Sequence, residues 1–463
     1  MQVPILSGIY ANLQPDFRTS YPVNMVPTPK DTGINQGYLR PGDGIVSFGT
    51  GPGAVRGIIN WRGTVYAVMG TKLVSVANNG TVTIIGDVGT DTLPVTMDYG
   101  FDRLAIASNG DLFYYDGSVL SQVTDPDLGT VLDVIWVDGY FMTTDGTNLV
   151  VTELNNPAAV NPLKYGSSEA DPDPIIAVFK LRNEVAALNR HTIEFFDNAG
   201  GDLFPFQRIE GAQIEKGAIG THTCCLYLDA VAFMGSGFNE QISVYVGANG
   251  STQKLSTHEI DLILSEYPED TLASSVMEAR NEGSHQFLYI HLPDQTLVYD
   301  AGGSQELGAP VWFVLKTNGQ YRGKFFCRAY DKWLCGDTAS AAIGYLDRSV
   351  STHFGTEVSW EFATQILYNE GRGAIVHELE LTGLTGSVAF GADPVITTSY
   401  SVDGVTWSMD RSIRAGSQGQ RAKRLVWMQA GAMQNWRVQR FRGTSDAHIA
   451  VARLEARVEP LAW

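Results

Sequence analysis

Ser284 to Thr317, SHQFLYIHLPDQTLVYDAGGSQELGAPVWFVLKT, holds three strand-like runs and two turns. The first run is Gln286 to Leu292. Pro293-Asp294-Gln295 then turns the chain, because proline fixes φ and Asp caps its own backbone. Thr296 to Tyr299 is the second run, Asp300 to Pro310 a longer Gly/Ser/Pro-rich loop, and Val311 to Leu315 the third run. Strand, tight turn, strand, loop, strand is one up-and-down sheet unit.

Such units recur. From Ala54, the runs Val55 to Trp61, Thr64 to Met69, Lys72 to Val76 and Thr81 to Ile85 are separated by Arg62-Gly63, Gly70-Thr71 and Asn78-Asn79-Gly80. Short Gly- and Asn-rich turns between apolar runs are the strongest local hairpin signal. Further units start near Leu93, Leu132, Ile175, Gly217, Ser275 and Tyr321. A repeat of roughly 40 to 45 residues with four strands per unit is what a β-propeller blade requires. The expected fold is therefore all-β, with a propeller of about seven blades over residues 54–350. Six blades are the alternative if the N-terminal arm or the last unit completes a shared blade.

Residues 1–53 read as an extended arm. Pro22, Pro27 and Pro29 disfavour helix and central strand. Such an arm is stable only against its own body or a neighbouring subunit. In the sixth unit HEIDLILSEY spaces Ile260, Leu262, Ile263 and Tyr267 helically, which predicts a short helical insertion near 256–276, with a second helix from Pro268. From Thr356 the strands lengthen and alternate. In HIAVARLEARV, Ile449, Val451, Arg453, Glu455 and Arg457 are expected on one face and Ala450, Ala452, Leu454, Ala456 and Val458 on the other. Six or seven such strands predict a β-sandwich over 351–463.

Composition narrows the function. The 463 residues are 44% hydrophobic and 10% aromatic, which excludes a disordered chain. Net charge is −18 but uneven: Asp410 to Trp463 holds ten Lys/Arg against four acids, a net +6, leaving −24 elsewhere. An acidic body disfavours non-specific DNA binding, which rests on phosphate neutralisation. The basic stretch suits an acidic partner, including another copy of this body. From it Arg411, Arg414, Arg421, Lys423 and Arg424, together with Arg40 from the arm, are nominated as subunit or adaptor contacts. Four cysteines, two of them the adjacent Cys224 and Cys225, make no disulfide scaffold and predict free thiols in a reducing cytoplasm. MQVPILSGIYANLQPDF does not read as a signal peptide, and no apolar run reaches a membrane span.

Catalytic chemistry finds no footing. His222-Thr-Cys224-Cys225 has metal-ligand residue types without a partner cluster at zinc spacing. Asp171-Pro172-Asp173-Pro174 reads as a rigid loop. Ser401 to Trp407, SVDGVTW, is similar to the Asp-box turn of sialidase-type propellers but is one residue short, and reads as a hairpin with Asp-Gly at its tip. No P-loop follows Gly49 to Gly53, and no His has a nucleophile and an acid beside it. No catalytic, metal or cofactor-binding residue is nominated, and the expectation is a non-enzyme. The alternative is a carbohydrate-binding propeller or glycoside hydrolase, since propellers host both.

The opening stretch also carries a family resemblance. His291-Leu292-Pro293, Leu297 to Ala301, Ser304-Gln305, Trp312 and Val314 to Thr317 together form a pattern that resembles the tail accessory factors of short-tailed phages, also called packaged-DNA stabilisation proteins. Pro22-Val23-Asn24-Met25, Thr28-Pro29-Lys30, Gly37-Tyr38-Leu39-Arg40, Thr192-Ile193-Glu194, Lys216-Gly217, Tyr321-Arg322-Gly323 and Cys335-Gly336-Asp337 match in the same order. The resemblance implies a structural virion protein: a hexameric ring beneath the portal and adaptor rings. That ring would extend the DNA channel, retain packaged DNA until ejection, and receive the needle plug and the tailspikes or fibres. DNA would pass without specific binding, and the subunit would be assembled in the host cytoplasm and reside in the virion tail.

Overall fold

The computed structural model describes residues 2–3, 21–30, 35–154, 156–168, 171–201, 203–370, 372–388, 391–444, 447 and 449–461. Seven antiparallel sheets follow one another around a ring. The first six, blades 1 to 6, are laid down in chain order from the inside out. Their inner strands are Val55–Trp61, Thr96–Tyr99, Asp133–Val137, Ile175–Leu181, the split pair Gly217–Ala218 and Cys224–Tyr227, and Val276–Glu282. Turn chemistry sets the hairpins. Arg62 and Gly63, for instance, both take positive φ, +54° and +79°, as a two-residue turn matched to strand twist demands.

Blade 7 is shared. Its inner three strands are Gly323–Ala329, Lys332–Asp337 and Ala342–Asp347, and its outer strand is Gly44–Thr50, paired Ile45 to Leu346 and Asp347 to Gly44. The blade count is thus seven, and the N-terminal region closes the ring. Only glycine fits at the start of this closing strand: a β-carbon on Gly44 would stand 2.4 Å from the Val350 carbonyl oxygen.

The sandwich follows. One sheet runs Met25–Pro29, Gly37–Pro41, Ala450–Pro460, Ala374–Leu384, Leu425–Met428; the other runs Ser359–Ala363, Trp436–Thr444, Val395–Ser401, Arg411–Arg414. Trp360, Phe362, Trp427, Phe441, Leu379, Leu381 and Leu454 fill the space between them, joined by Met25 and Leu39. Residues 25–30 and 35–50, read from sequence as part of an extended arm, are therefore built into both bodies of their own chain. The step between the bodies is stitched as well. Val23 exchanges backbone hydrogen bonds with Glu361, while Asn24 N–H and Val314 N–H donate to Val314 and Pro22 carbonyls. The Asn24 amide donates to Lys316 and Ser359 carbonyls at 2.9 and 2.7 Å and accepts from Lys316 N–H at 2.9 Å.

Three sequence expectations change. Asp300 to Pro310 is not all loop: Ala301–Leu307 is a helix ended by Gly308 in the left-handed region, φ +71°. Tertiary contacts override two helix-weakening glycines, and Ser304 ties both ends, donating to Asp300 O and accepting from Val311 N–H. The predicted insertion forms as His258–Ser265 and Glu269–Ala273; Ile260, Leu264 and Leu272 are buried, Ile263 and Tyr267 pack partly buried against the same core, and the hydroxyl of Thr257 at its cap meets Tyr21 at 2.8 Å. The alternation of HIAVARLEARV does not hold throughout. Val451 and Leu454 both enter the core, because Arg453 pairs with Thr382 and Val451 with Gly383, leaving Ala452 as an extra residue. Such a bulge flips the face of all that follows.

A charged cluster pins the closing segment. Asp43 accepts from Arg40 and from Arg280 of blade 6, both at 2.7 Å, with all three side chains buried. Burial opposes the charge, yet Arg40 and Arg280 hold the Asp43 carboxyl well below the usual carboxylate range. Removing one member of a buried charge group strands the others. Asp43→Ala should destabilise the protein by about 3–5 kcal/mol in urea unfolding. Asn24→Ala should cost about 2–3 kcal/mol and resolve separate propeller and sandwich transitions in scanning calorimetry. An unshifted single transition would contradict the stitching role.

Candidate functional site

The inner strands of all seven blades enclose a tunnel with a cavity of about 450 Å³, whose walls include Asp98, Asp133, Lys180, His222, Cys224, Glu278 and Phe325. An inner strand presents unpaired backbone groups along its free edge. The tunnel's carboxylates answer that need across blade boundaries. Asp98 accepts Trp136 N–H at 2.6 Å, and Asp133 accepts Val178 N–H at 3.0 Å. Glu278 accepts Phe325 N–H at 2.7 Å and Phe326 N–H at 2.5 Å. Thus blades 2 and 3, 3 and 4, and 6 and 7 are stapled by an acid of the earlier blade. Backbone or hydroxyl bonds serve elsewhere: Val95 N–H to Arg56 O, Thr221 Oγ1 to Ile176 O, Met277 N–H to His222 O, and Asn60 Nδ2 to Arg328 O.

Burial reshapes the titrations here. It pushes the Asp133 carboxyl up to about 7 and pulls His222 down to about 4. It raises both Cys224 and Cys225. All four cysteines are free thiols, and the described residues contain no group of three or more His, Cys, Asp or Glu able to hold a metal. His291 and Asp300, in the stretch read first, serve packing: His291 bridges Glu278 at 2.7 Å and Thr296 at 3.1 Å, and Asp300 accepts from His285 and from Gln286 N–H. Asp403 accepts Val405 and Thr406 N–H, and Gly404 takes φ +76°, so SVDGVTW is a hairpin tip. No described helix is long and apolar enough to cross a membrane.

The nominated basic residues converge, with one exception. Arg411–Arg414 and Leu425–Met428 are the outer strands of the two sandwich sheets, and they lie together at one open edge. Arg411 donates to Gln429 O at 2.7 Å there, and the Trp427 indole donates to Arg411 O at 3.0 Å. Arg414 pairs with Asp393 at 2.9 Å, and Arg424 with Glu380 at 2.6 Å. Arg421 and Lys423 are exposed, and among the described residues their side chains have no ion pair or hydrogen bond. Exposed Met409 and Met428 flank the same edge. Arg40 is the exception: it lies buried against Asp43, on a strand at the opposite side of its sheet. Sequence reasoning missed the tunnel carboxylates. Their only signal was recurrence in the first strand of a unit.

Asp133 supplies a pH test. Its folded pKa lies above the unfolded value of 3.8, so its contribution is full below about pH 4 and is lost as pH rises through about 7. After burial, Asp98 is the neighbour that opposes its charge. Asp133→Asn keeps an acceptor for Val178. The variant's stability relative to wild type should rise by about 2–3 kcal/mol between pH 5 and pH 8, read by urea unfolding at both pH values.

Comparison with known proteins now adds a lineage. The family model described as bacteriophage P22 Gp10, β-propeller, matches residues 1–351, and that described as bacteriophage P22 Gp10, β-sandwich, matches residues 359–459. The tail hub protein gp10 of Salmonella phage P22 is 29% identical over 484 aligned positions, covering 99% of each chain. Solved structures are distant. PorZ of Porphyromonas gingivalis has a TM-score of 0.41 at 13% identity over 80% of this chain and 46% of its own. The computationally designed Ika8 protein has 0.39 at 13% identity over 66% and 100%. These structural likenesses carry no argument about function. With its propeller and sandwich both matched in order, the chain belongs to the bacteriophage P22 Gp10 family and is a structural protein of the phage virion tail.

Proposed function

We propose that this protein is the repeating subunit of a hexameric tail nozzle. The ring sits below the portal–adaptor rings, extends the DNA channel, retains packaged DNA and receives the plug and the spikes or fibres. The observation that carries this reading is the open basic edge of the sandwich on an otherwise acidic chain. Among the described residues the Arg421 and Lys423 side chains have no ion-pair or hydrogen-bond partner there, while the protein as a whole has a net charge of −18. Two unlike faces on one subunit make a head-to-tail contact, and head-to-tail contacts close into rings. Full-length similarity to a tail hub protein supports the same assignment. An acidic channel wall would repel DNA and let it slide without sticking. On this reading the channel lies between subunits, and the propeller tunnel, with its cavity of about 450 Å³, is a separate feature.

Sedimentation of the protein alone and with portal–adaptor complexes tests the ring. A subunit that stays monomeric in both would sink the nozzle reading. Arg421→Gln combined with Lys423→Gln should weaken assembly about tenfold at physiological salt, since each lost contact is worth on the order of 1 kcal/mol. Arg424→Gln should add less, because Arg424 already pairs with Glu380. Assembly indifferent to all three would remove the basic edge from the interface.

A further inference from the structure

Each blade is an antiparallel meander laid down in the same direction, so the turns after its first and third strands lie on one rim of the propeller. On blades 6 and 7 this rim meets the chain's own sandwich. Leu307, from the helix between the last two strands of blade 6, packs on the sandwich core. Arg348 and Ser349, at the matching turn of blade 7, line a cleft with Thr382, Leu384 and Ala450. On blades 2 to 5 the rim is open. Large apolar side chains stand out of it: Phe101, 84% exposed, and Val119 on blade 2, Leu154 on blade 3, Leu203 on blade 4 and Leu228 on blade 5.

Among the described residues the exposed charges on this open rim are Asp102, Asp116, Asp138, Asp197 and Asp229, against Arg182. Asp102 is paired with Arg103 at 2.6 Å. Asp116 and Asp197 accept from nearby N–H groups, and Asp138 accepts from the Asn198 amide at 3.1 Å. Those donors are neutral, so the three carboxylates keep their charge. The surface is continuous from blade 2 to blade 4. Phe101, whose carbonyl accepts from Arg62 of blade 1, meets Trp136 of blade 3 edge-on, with ring centroids 5.3 Å apart. Leu154 lies over the next turn, its Cδ1 2.8 Å from where a β-carbon on Gly139 would stand. The bond from Asn198 to Asp138 then joins blade 4 to blade 3. Exposed apolar groups set among charges of one sign mark a protein contact.

The same chain carries the complement. Its sandwich edge offers Met409, 88% exposed, and the exposed Met428 beside Arg421 and Lys423. We propose that the open rim of blades 2 to 4 receives the basic, methionine-bearing sandwich edge of a second copy. Phe101 and Leu154 supply the apolar contact for Met409 and Met428, and Asp138 and Asp197 the opposite charge for Arg421 and Lys423. Rim and edge lie on different bodies of the subunit, so each copy offers one surface and receives on the other, as a head-to-tail contact requires. The inference rests on the ring reading above and adds to it the receiving surface.

Assembly of the full chain on portal–adaptor complexes, read by sedimentation, tests this. Asp138→Lys/Asp197→Lys should weaken assembly about tenfold or more at physiological salt, as should Arg421→Glu/Lys423→Glu. All four changes in one chain should recover most of the loss, because each reversed rim then meets a reversed edge. Phe101→Ser should cost about tenfold. Glu215→Lys/Glu266→Lys, in the connections on the opposite side of the propeller, should have no effect. In parallel, zero-length carbodiimide coupling in an isotopically mixed wild-type assembly should join Lys423 to Asp138 or Asp197 of another copy. That measurement stands even if a variant misfolds. A wild type that does not assemble sinks the ring reading and this inference together. A wild type that assembles, with Asp138→Lys/Asp197→Lys equal to it or Lys423 coupled only to other acids, overturns this inference and leaves the ring standing.

Discussion

Ring closure is the constraint on which the rest of this molecule depends. Six blades complete themselves from consecutive sequence, but blade 7 lacks an outer strand until Gly44–Thr50 is laid beside Ala342–Asp347. Without it the outer edge of Ala342–Asp347 stays unpaired. The same segment has other obligations. Asp43, just before it, holds Arg40 and Arg280 in a buried cluster, Leu39 and Met25 enter the sandwich core, and Val23 and Asn24 join that sandwich to blade 6. One stretch of fewer than thirty residues thus closes the propeller, completes the sandwich and fixes the angle between them.

The tunnel shows the same economy on a smaller scale. Inner strands converge toward the axis, where side chains crowd and backbone edges cannot all pair. Short carboxylates from the previous blade fill the gap, at Trp136, Val178, Phe325 and Phe326. Burial is tolerated because each charge accepts directed N–H bonds. Asp133 is the limiting case, with burial pushing its carboxyl up to about 7. A residue that looks catalytic by its titration is here a wall fitting.

Most of the architecture was legible from the sequence because it is local. Gly- and Asn-bearing turns such as Arg62-Gly63 and Asn78-Asn79-Gly80 mark hairpins within a few residues, and their recurrence gives the blade period. What escaped is non-local. Nothing around Gly44 says that its partner is Asp347, so a blade shared with the arm could be raised as an alternative but its register could not be read. The bulge at Ala452 depends on the facing strand Ala374–Leu384, and the helix Ala301–Leu307 on packing that outweighs its glycines. For the site, net charge pointed to the sandwich edge, where Arg411, Arg414, Arg421, Lys423 and Arg424 do gather. Arg40 stands apart from them, buried against Asp43, because charge in a sequence does not reveal burial.

The closing strand also sets a schedule. During synthesis Gly44–Thr50 leaves the ribosome about 300 residues before its partner Ala342–Asp347 exists, and the Met25–Pro29 and Gly37–Pro41 hairpin waits longer still for Ala450–Pro460. Contacts of such span make folding slow and leave strand edges exposed meanwhile. A nascent copy is thus open to invasion by the same strand of a neighbour, so swapped dimers should be the characteristic by-product of crowded expression.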